Sequence, residues 1–123
     1  MMQDNTYDIL NQVLESDASV RFAGIADKKG RLIVHGYKKG MAPKLSEKEV
    51  ERSIVQAILK ISTDQSMEER LGRVEYSMTV HESVKRITMP IRRHDLLLLI
   101  STERMSDHEK IIQKVLSLID MMC

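Results

Sequence analysis

Leu96-Leu97-Leu98-Leu99-Ile100 sets five large aliphatic residues in a row, with no polar residue at any alternate position. It follows Arg92-Arg93-His94-Asp95, which reads as a turn. Side chains on a strand point alternately to opposite faces, so a strand with this sequence has no face for water. Burial on both sides requires a sheet covered by helices above and below at that point. The run is far too short to cross a bilayer.

The rest of the chain supplies such a sheet and such helices. Asn5 can cap a helix over residues 5–15, whose Tyr7, Ile9, Leu10, Val13 and Leu14 fall on one broad arc. Residues 20–26 and 31–37 read as a strand pair, joined by Asp27-Lys28-Lys29-Gly30, a turn in which Gly30 is free to take positive φ. A loop over 38–45 leads to Ser46-Glu47-Lys48-Glu49, a capping box opening a helix over 47–62. Val50, Ile54, Ala57, Ile58 and Ile61 form its buried stripe, and Val55 and Leu59 lie outside that stripe on a different side. Gly72 stops the helical region. Residues 73–80 alternate cleanly, with Val74, Tyr76, Met78 and Val80 on one face. Lys85, Ile87, Met89 and Ile91 share a face of the next strand, where Pro90 marks an edge or a bulge. Ser106-Asp107-His108-Glu109 reads as a second capping box, with its serine at the cap of a last amphipathic helix running nearly to the end. The order is helix, two strands, helix, three strands, helix. It fits one α+β domain over residues 1–123, with no linker or repeat.

Composition narrows the function classes. Nineteen Lys and Arg against 18 Asp and Glu leave a net charge of +1, without the basic excess of a nucleic-acid binder. The one cysteine, Cys123, has no partner for an intramolecular disulfide, so a reducing cytoplasm is the expected home. With no Trp and one Phe, aliphatics and nine Met must fill the core. Met78 and Met89 fall on core-like faces, and Met121-Met122 is a candidate docking spot.

The element order resembles the roadblock/dynein light chain family, a profilin-like fold related to longin domains. The resemblance covers almost the whole chain. It rests on Asp27-Lys28-Lys29-Gly30 followed by Arg31-Leu32-Ile33-Val34, and on the closing segment from Met89-Pro90-Ile91 through Leu99-Ile100. Such domains commonly carry a Gly shortly before the first strand, where this chain has Ser19-Val20-Arg21. Gly72-Arg73-Val74-Glu75-Tyr76-Ser77-Met78 and Asp107-His108-Glu109-Lys110-Ile111-Ile112 are also similar to those of a family of small uncharacterised archaeal proteins. The roadblock resemblance implies a five-stranded antiparallel sheet with helices on both faces and Leu96-Leu97-Leu98-Leu99-Ile100 as its central strand. It also implies a homodimer formed through the middle helix and the neighbouring edge strand. The matching residues are Val55 and Leu59 on helix 47–62, and Arg73, Glu75 and Ser77 on strand 73–80. A small GTPase is the second partner that the resemblance implies.

Residues for chemistry are sparse. His35, His81, His94 and His108 form no pair at metal-ligand spacing, and no C-x-x-C occurs, so no metal or other cofactor is expected. His108 falls in the first turn of a helix, where positive charge is unfavourable. There is no G-x-S-x-G elbow, no G-x-x-x-x-G-K-[ST] and no G-x-G-x-x-G, so no catalytic residue is named. Lys28, Lys38 and Lys39 form a candidate anion or partner patch if the hairpin turn and the following loop share one rim. The expectation is a non-enzymatic, dimeric interaction or regulatory module that binds neither membrane nor nucleic acid. The alternative is a small-ligand sensor of PAS or GAF type. Against it stands the bulky aliphatic fill, which is expected to leave no open pocket.

Overall fold

A computed structural model describes residues 2–122, with side chains over 6–121. Helix α1 (Met2–Glu15) leads into β1 (Val20–Asp27) and β2 (Leu32–Tyr37), followed by α2 (Glu47–Gln65) and the short α3 (Glu68–Leu71). Strands β3 (Ser77–Val80) and β4 (Val84–Ile91) come next, then a 3-10 turn (Arg92–His94), β5 (Leu96–Glu103) and α4 (His108–Met122). The strands form one sheet in the order β2-β1-β5-β4-β3, and every neighbouring pair is antiparallel. The all-aliphatic strand is therefore central.

Register divides the side chains between two faces. Ala23, Ile25, Val34, Ile87, Met89, Leu96, Leu98 and Ile100 are buried on the face covered by α1 and α4, against Ile9, Leu10, Val13, Ile111, Ile112 and Val115. Met78 packs beside this core, and Met89 is fully buried. The opposite face lies under α2, which buries Ile54 and Ile61. Leu97 is sealed there, whereas Leu99 is only half-buried. Helices thus flank both sides of β5, with incomplete cover on the α2 side.

Local chemistry explains the boundaries. At the hairpin, Gly30 takes φ +90°, and the Asp27 carboxylate accepts from the Lys29 and Arg31 amides at 2.9 and 3.0 Å. The α2 capping box forms as read, with Ser46 Oγ accepting from the Glu49 amide and Glu49 Oε1 from the Ser46 amide.

Three expectations shift. Helix α1 begins at Met2, so Asn5 is an interior position, since neither Gly nor Pro interrupts residues 2–5; its side chain lies outside the described residues, as do Cys123 and the Met122 side chain. The expected strand 73–80 shortens to Ser77–Val80. Continuing its register past Ser77 opposite Thr88 would set Glu75 against Pro90, which has no N–H to give. Upstream, the Val74 amide donates instead to the Glu68 carboxylate at 2.7 Å, and the Val74 carbonyl accepts from Arg92 at 3.2 Å. The cap of α4 moves by one residue. Asp107 Oδ1 accepts from the Lys110 amide at 3.2 Å, while Ser106 Oγ turns inward to Thr102 Oγ1 at 2.8 Å.

Candidate functional site

The α2-covered face of the sheet is ordered in rows that cross the strands. One row reads Thr79, Arg86, Ser101, Phe22, Tyr37 from β3 to β2. The next reads Ser77, Thr88, Leu99, Gly24, His35. A third, from β4 to β2, reads Pro90, Leu97, Ala26, Leu32 and is apolar throughout. The polar residues gather on β3, β4 and the neighbouring part of β5. On the opposite face the same stretches of strand carry Met78, Ile87, Met89 and Ile100, with Lys85 and Thr102 as the polar pair at the end of that face.

Helix α2 does not seal the polar corner. A cleft of about 680 Å³ lies between it and the sheet, lined by Arg86, Thr88 and Ser101 from below and by Ser53, Ala57 and Lys60 from the helix. The expectation of a filled interior without an open pocket is corrected here. Bulky aliphatics do fill the α1/α4 face, but the rows under α2 hold hydroxyls and one guanidinium, against which an apolar helix face gains little by close packing. Ser77, Thr79, Thr88 and Ser101 make no side-chain hydrogen bond among the described residues, and no buried side-chain polar atom lacks a partner there. These hydroxyls therefore meet open space rather than protein.

Charges around the cleft differ in how they are held. Arg21 donates to Glu103 at 2.7 Å, and Lys60 pairs with Asp64 at 3.2 Å. Arg86 has no carboxylate within ion-pair distance among the described residues; its Nε donates to His81 Nε2 at 3.0 Å. Glu49, also on the cleft wall, has its carboxyl held below the ordinary range, first by the Ser46 amide and then by the Ser46 side chain. Beyond the cleft, Glu68 is lowered by the Arg92 guanidinium, its ion-pair partner, and then by the Val74 amide.

The residues singled out from sequence are scattered. A Cβ added to Gly30 would meet Val55 Cγ2 at 3.8 Å, so Val55 lies beside the β1–β2 turn. Leu59 follows on the same flank of the helix and is 63% exposed. Ser77 sits on β3 at the far edge of the sheet, across the cleft, and Arg73 and Glu75 are exposed in the segment before that strand. Val55 and Leu59 are not brought together with Arg73, Glu75 and Ser77. Nor do the three lysines share a rim. Lys28 sits in the turn before β2 and pairs with Asp95 at 3.2 Å, while Lys38, past the other end of β2, donates to the Asp17 carbonyl; Lys39 is exposed beside it. A single patch of Lys28, Lys38 and Lys39 is thus corrected by the length of the strand between them.

A second polar cluster lies on the α1/α4 face. Lys85 is 6% exposed, and its ammonium donates to the Ser106 carbonyl and to Nδ1 of His108, each at 2.8 Å. It ties the start of β4 to the start of α4. Among the described residues, no group of three His, Cys, Asp or Glu is placed to hold a metal ion, and no helix is long and apolar enough to cross a membrane.

Solved structures with the same arrangement identify the fold. The Roadblock/LC7 domain from Streptomyces avermitilis superposes with a TM-score of 0.70 at 12% identity, covering 92% of this chain and 90% of that one. The gliding protein MglB from Thermus thermophilus gives 0.73 at 14% identity, over 97% and 88%. A structure of MglB with tetrameric arrangement gives 0.68 at 15% identity, over 98% and 91%. This chain has the roadblock/LC7 fold. No protein-family model and no curated protein matches the sequence, so the likeness lies in three dimensions.

Within that roadblock/LC7 fold, the functional candidates that sequence reading missed are Arg86, Thr88 and Ser101. Their signal was the polar alternation along β4 and β5. Recognising them as one cluster required the register between strands.

Proposed function

We propose that this chain is a non-catalytic interaction module that works as a homodimer through the free edge of β3. The observation that carries this reading is that β3 pairs only with β4, while Tyr76 and Val80 at that edge are 40% and 48% exposed. An unpaired strand edge is a template for a further strand. The other edge, β2, is bracketed by Arg31 at one end and Lys38 and Lys39 at the other, so an antiparallel second copy would set cation against cation at both ends. The approach to β3 carries Arg73 and Glu75, opposite charges that can pair with a second copy. MglB, which has this fold, has been solved in a tetrameric arrangement, which supports self-assembly as a use of it. The missing nucleophile and phosphate-binding motifs support the non-catalytic part, and the lone terminal cysteine supports a cytoplasmic home.

Val55 and Leu59, on the far flank of α2, then form a separate ridge for a different protein. The roadblock resemblance supports a small GTPase as its class. Light scattering at tens of micromolar tests the dimer. The expected mass is twice 14.2 kDa. Tyr76→Lys with Val80→Lys should give a folded monomer, whereas Val55→Asp with Leu59→Lys should leave the dimer intact. A monomeric unmodified protein, or a double-lysine variant that stays dimeric, defeats the reading.

A further inference from the structure

We infer that the cleft between α2 and the sheet is a binding site for a small organic acid, a carboxylate on a compact apolar body. Arg86 is the group that sets the class. Its Nε is taken by His81, which leaves the two terminal amino groups of the guanidinium without an ion-pair partner among the described residues. A guanidinium with both termini free matches the two oxygens of a carboxylate in a forked pair. Thr79 and Ser101 stand directly opposite Arg86 on the neighbouring strands and offer hydroxyl donors on either side of that fork. Ser77 and Thr88, one row further in, carry two more hydroxyls that make no side-chain hydrogen bond among the described residues.

The remaining lining fits the body of such a molecule. Leu99 is half-buried next to Thr88 in its row, Phe22 stands beyond Ser101, and Ile54 and Ala57 form the roof. The volume of about 680 Å³ lies within the range of small-molecule sites, which combine apolar walls with a few convergent polar groups. Of the other cations on the lining, Arg21 and Lys60 pair with Glu103 and Asp64, and Lys44 and Arg52 are exposed on the loop before α2 and on α2 itself, so Arg86 is the cation without an ion pair that the sheet floor contributes.

Calorimetric titration of the full chain with matched probes tests the inference. The probes are 3-phenylpropionate, 3-phenylpropan-1-ol and 3-phenylpropylamine, which share a body and differ in charge. The acid is expected to bind saturably with one site per chain, at least tenfold tighter than the alcohol, and the amine not to bind. Arg86→Gln should remove the preference for acid over alcohol, and Lys39→Gln, far from the cleft, should not. Ala57→Trp, which fills the roof, should abolish binding of the acid and alcohol while the circular dichroism spectrum stays that of the parent. Equal affinity for acid and alcohol, an acid preference that survives Arg86→Gln, or no saturable heat with the acid up to millimolar concentration would each overturn the assignment.

Discussion

Leu98 and Leu99 are consecutive residues of the central strand, and the structure assigns them very different energetic roles. Leu98 is fully buried on the α1/α4 face, opposite Ile25 and Met89. Leu98→Ala removes its contacts and leaves a cavity that rigid neighbours on two strands and two helices cannot close, a loss of roughly 3–5 kcal/mol. Leu99 is half-buried and borders the cleft, so Leu99→Ala forfeits about half of a leucine-to-alanine transfer term and adds no closed cavity, roughly 1–1.5 kcal/mol. An unfolding entropy of about 2.1 cal/mol/K per residue over 123 residues makes 1 kcal/mol worth about 4 °C in Tm. Leu98→Ala should therefore lower Tm by about 12–20 °C and Leu99→Ala by about 4–6 °C. Leu97→Ala, under the part of α2 that does seal the sheet, should fall near the Leu98 value. Differential scanning calorimetry reads all three, at one protein concentration because a dimer shifts Tm with concentration. Equal losses at Leu98 and Leu99 would refute the claim that α2 leaves its side of β5 partly open.

Two further predictions follow from local geometry. Asp107→Ala should destabilise the protein by about 1 kcal/mol in urea unfolding, because Asp107 rather than Ser106 accepts the first-turn amide of α4. Asp17, Asp27, Glu49 and Glu68 all have carboxyls held below their ordinary range, by the Ser19, Arg31 and Ser46 amides and by the Arg92 guanidinium respectively as the largest causes. A depressed carboxylate contributes stability that is complete above its unfolded value and is lost as pH falls through its folded value. Stability from these groups should thus hold at neutral pH and decline below about pH 4, and Asp27→Asn should flatten part of that decline in acid-unfolding curves.

Features fixed by neighbours in sequence were legible before any coordinates. The double-sided strand of Leu96-Leu97-Leu98-Leu99-Ile100, the Gly30 turn and the Ser46 capping box each follow from a few adjacent residues, and each appears in the structure. The resemblance supplied the strand order and the central place of the last strand. Strand 73–80 was over-read because alternation continues through Val74 and Tyr76, while pairing depends on β4, where Pro90 offers no amide. Periodicity also showed that Val55 and Leu59 lie off the buried stripe of α2. It could not show which way that flank turns, since this depends on how the helix lies across a sheet built from both halves of the chain. The cluster around Arg86 was hidden for the same reason. Thr79, Arg86 and Ser101 become neighbours only once β3, β4 and β5 are aligned.

The two faces of β4 show why such a cluster can exist at all. Ile87, Met89 and Ile91 are buried against the α1/α4 layer, and a slip of one residue would exchange them for Arg86, Thr88 and Pro90. Burial on that face alone therefore fixes the register of the strand, and with it the position of every residue on the other face. Arg86, Thr88 and Ser101 are held in place without bearing stability themselves. Lys85, the one charge on the aliphatic side of β4, meets the opposite condition: it is buried, and its ammonium is engaged by the Ser106 carbonyl and His108. Removing Lys85 would leave two acceptors without their donor, whereas Arg86→Gln removes a half-buried guanidinium whose one side-chain bond among the described residues goes to an exposed histidine. A change in ligand binding at Arg86 with little change in stability is what this division of labour requires.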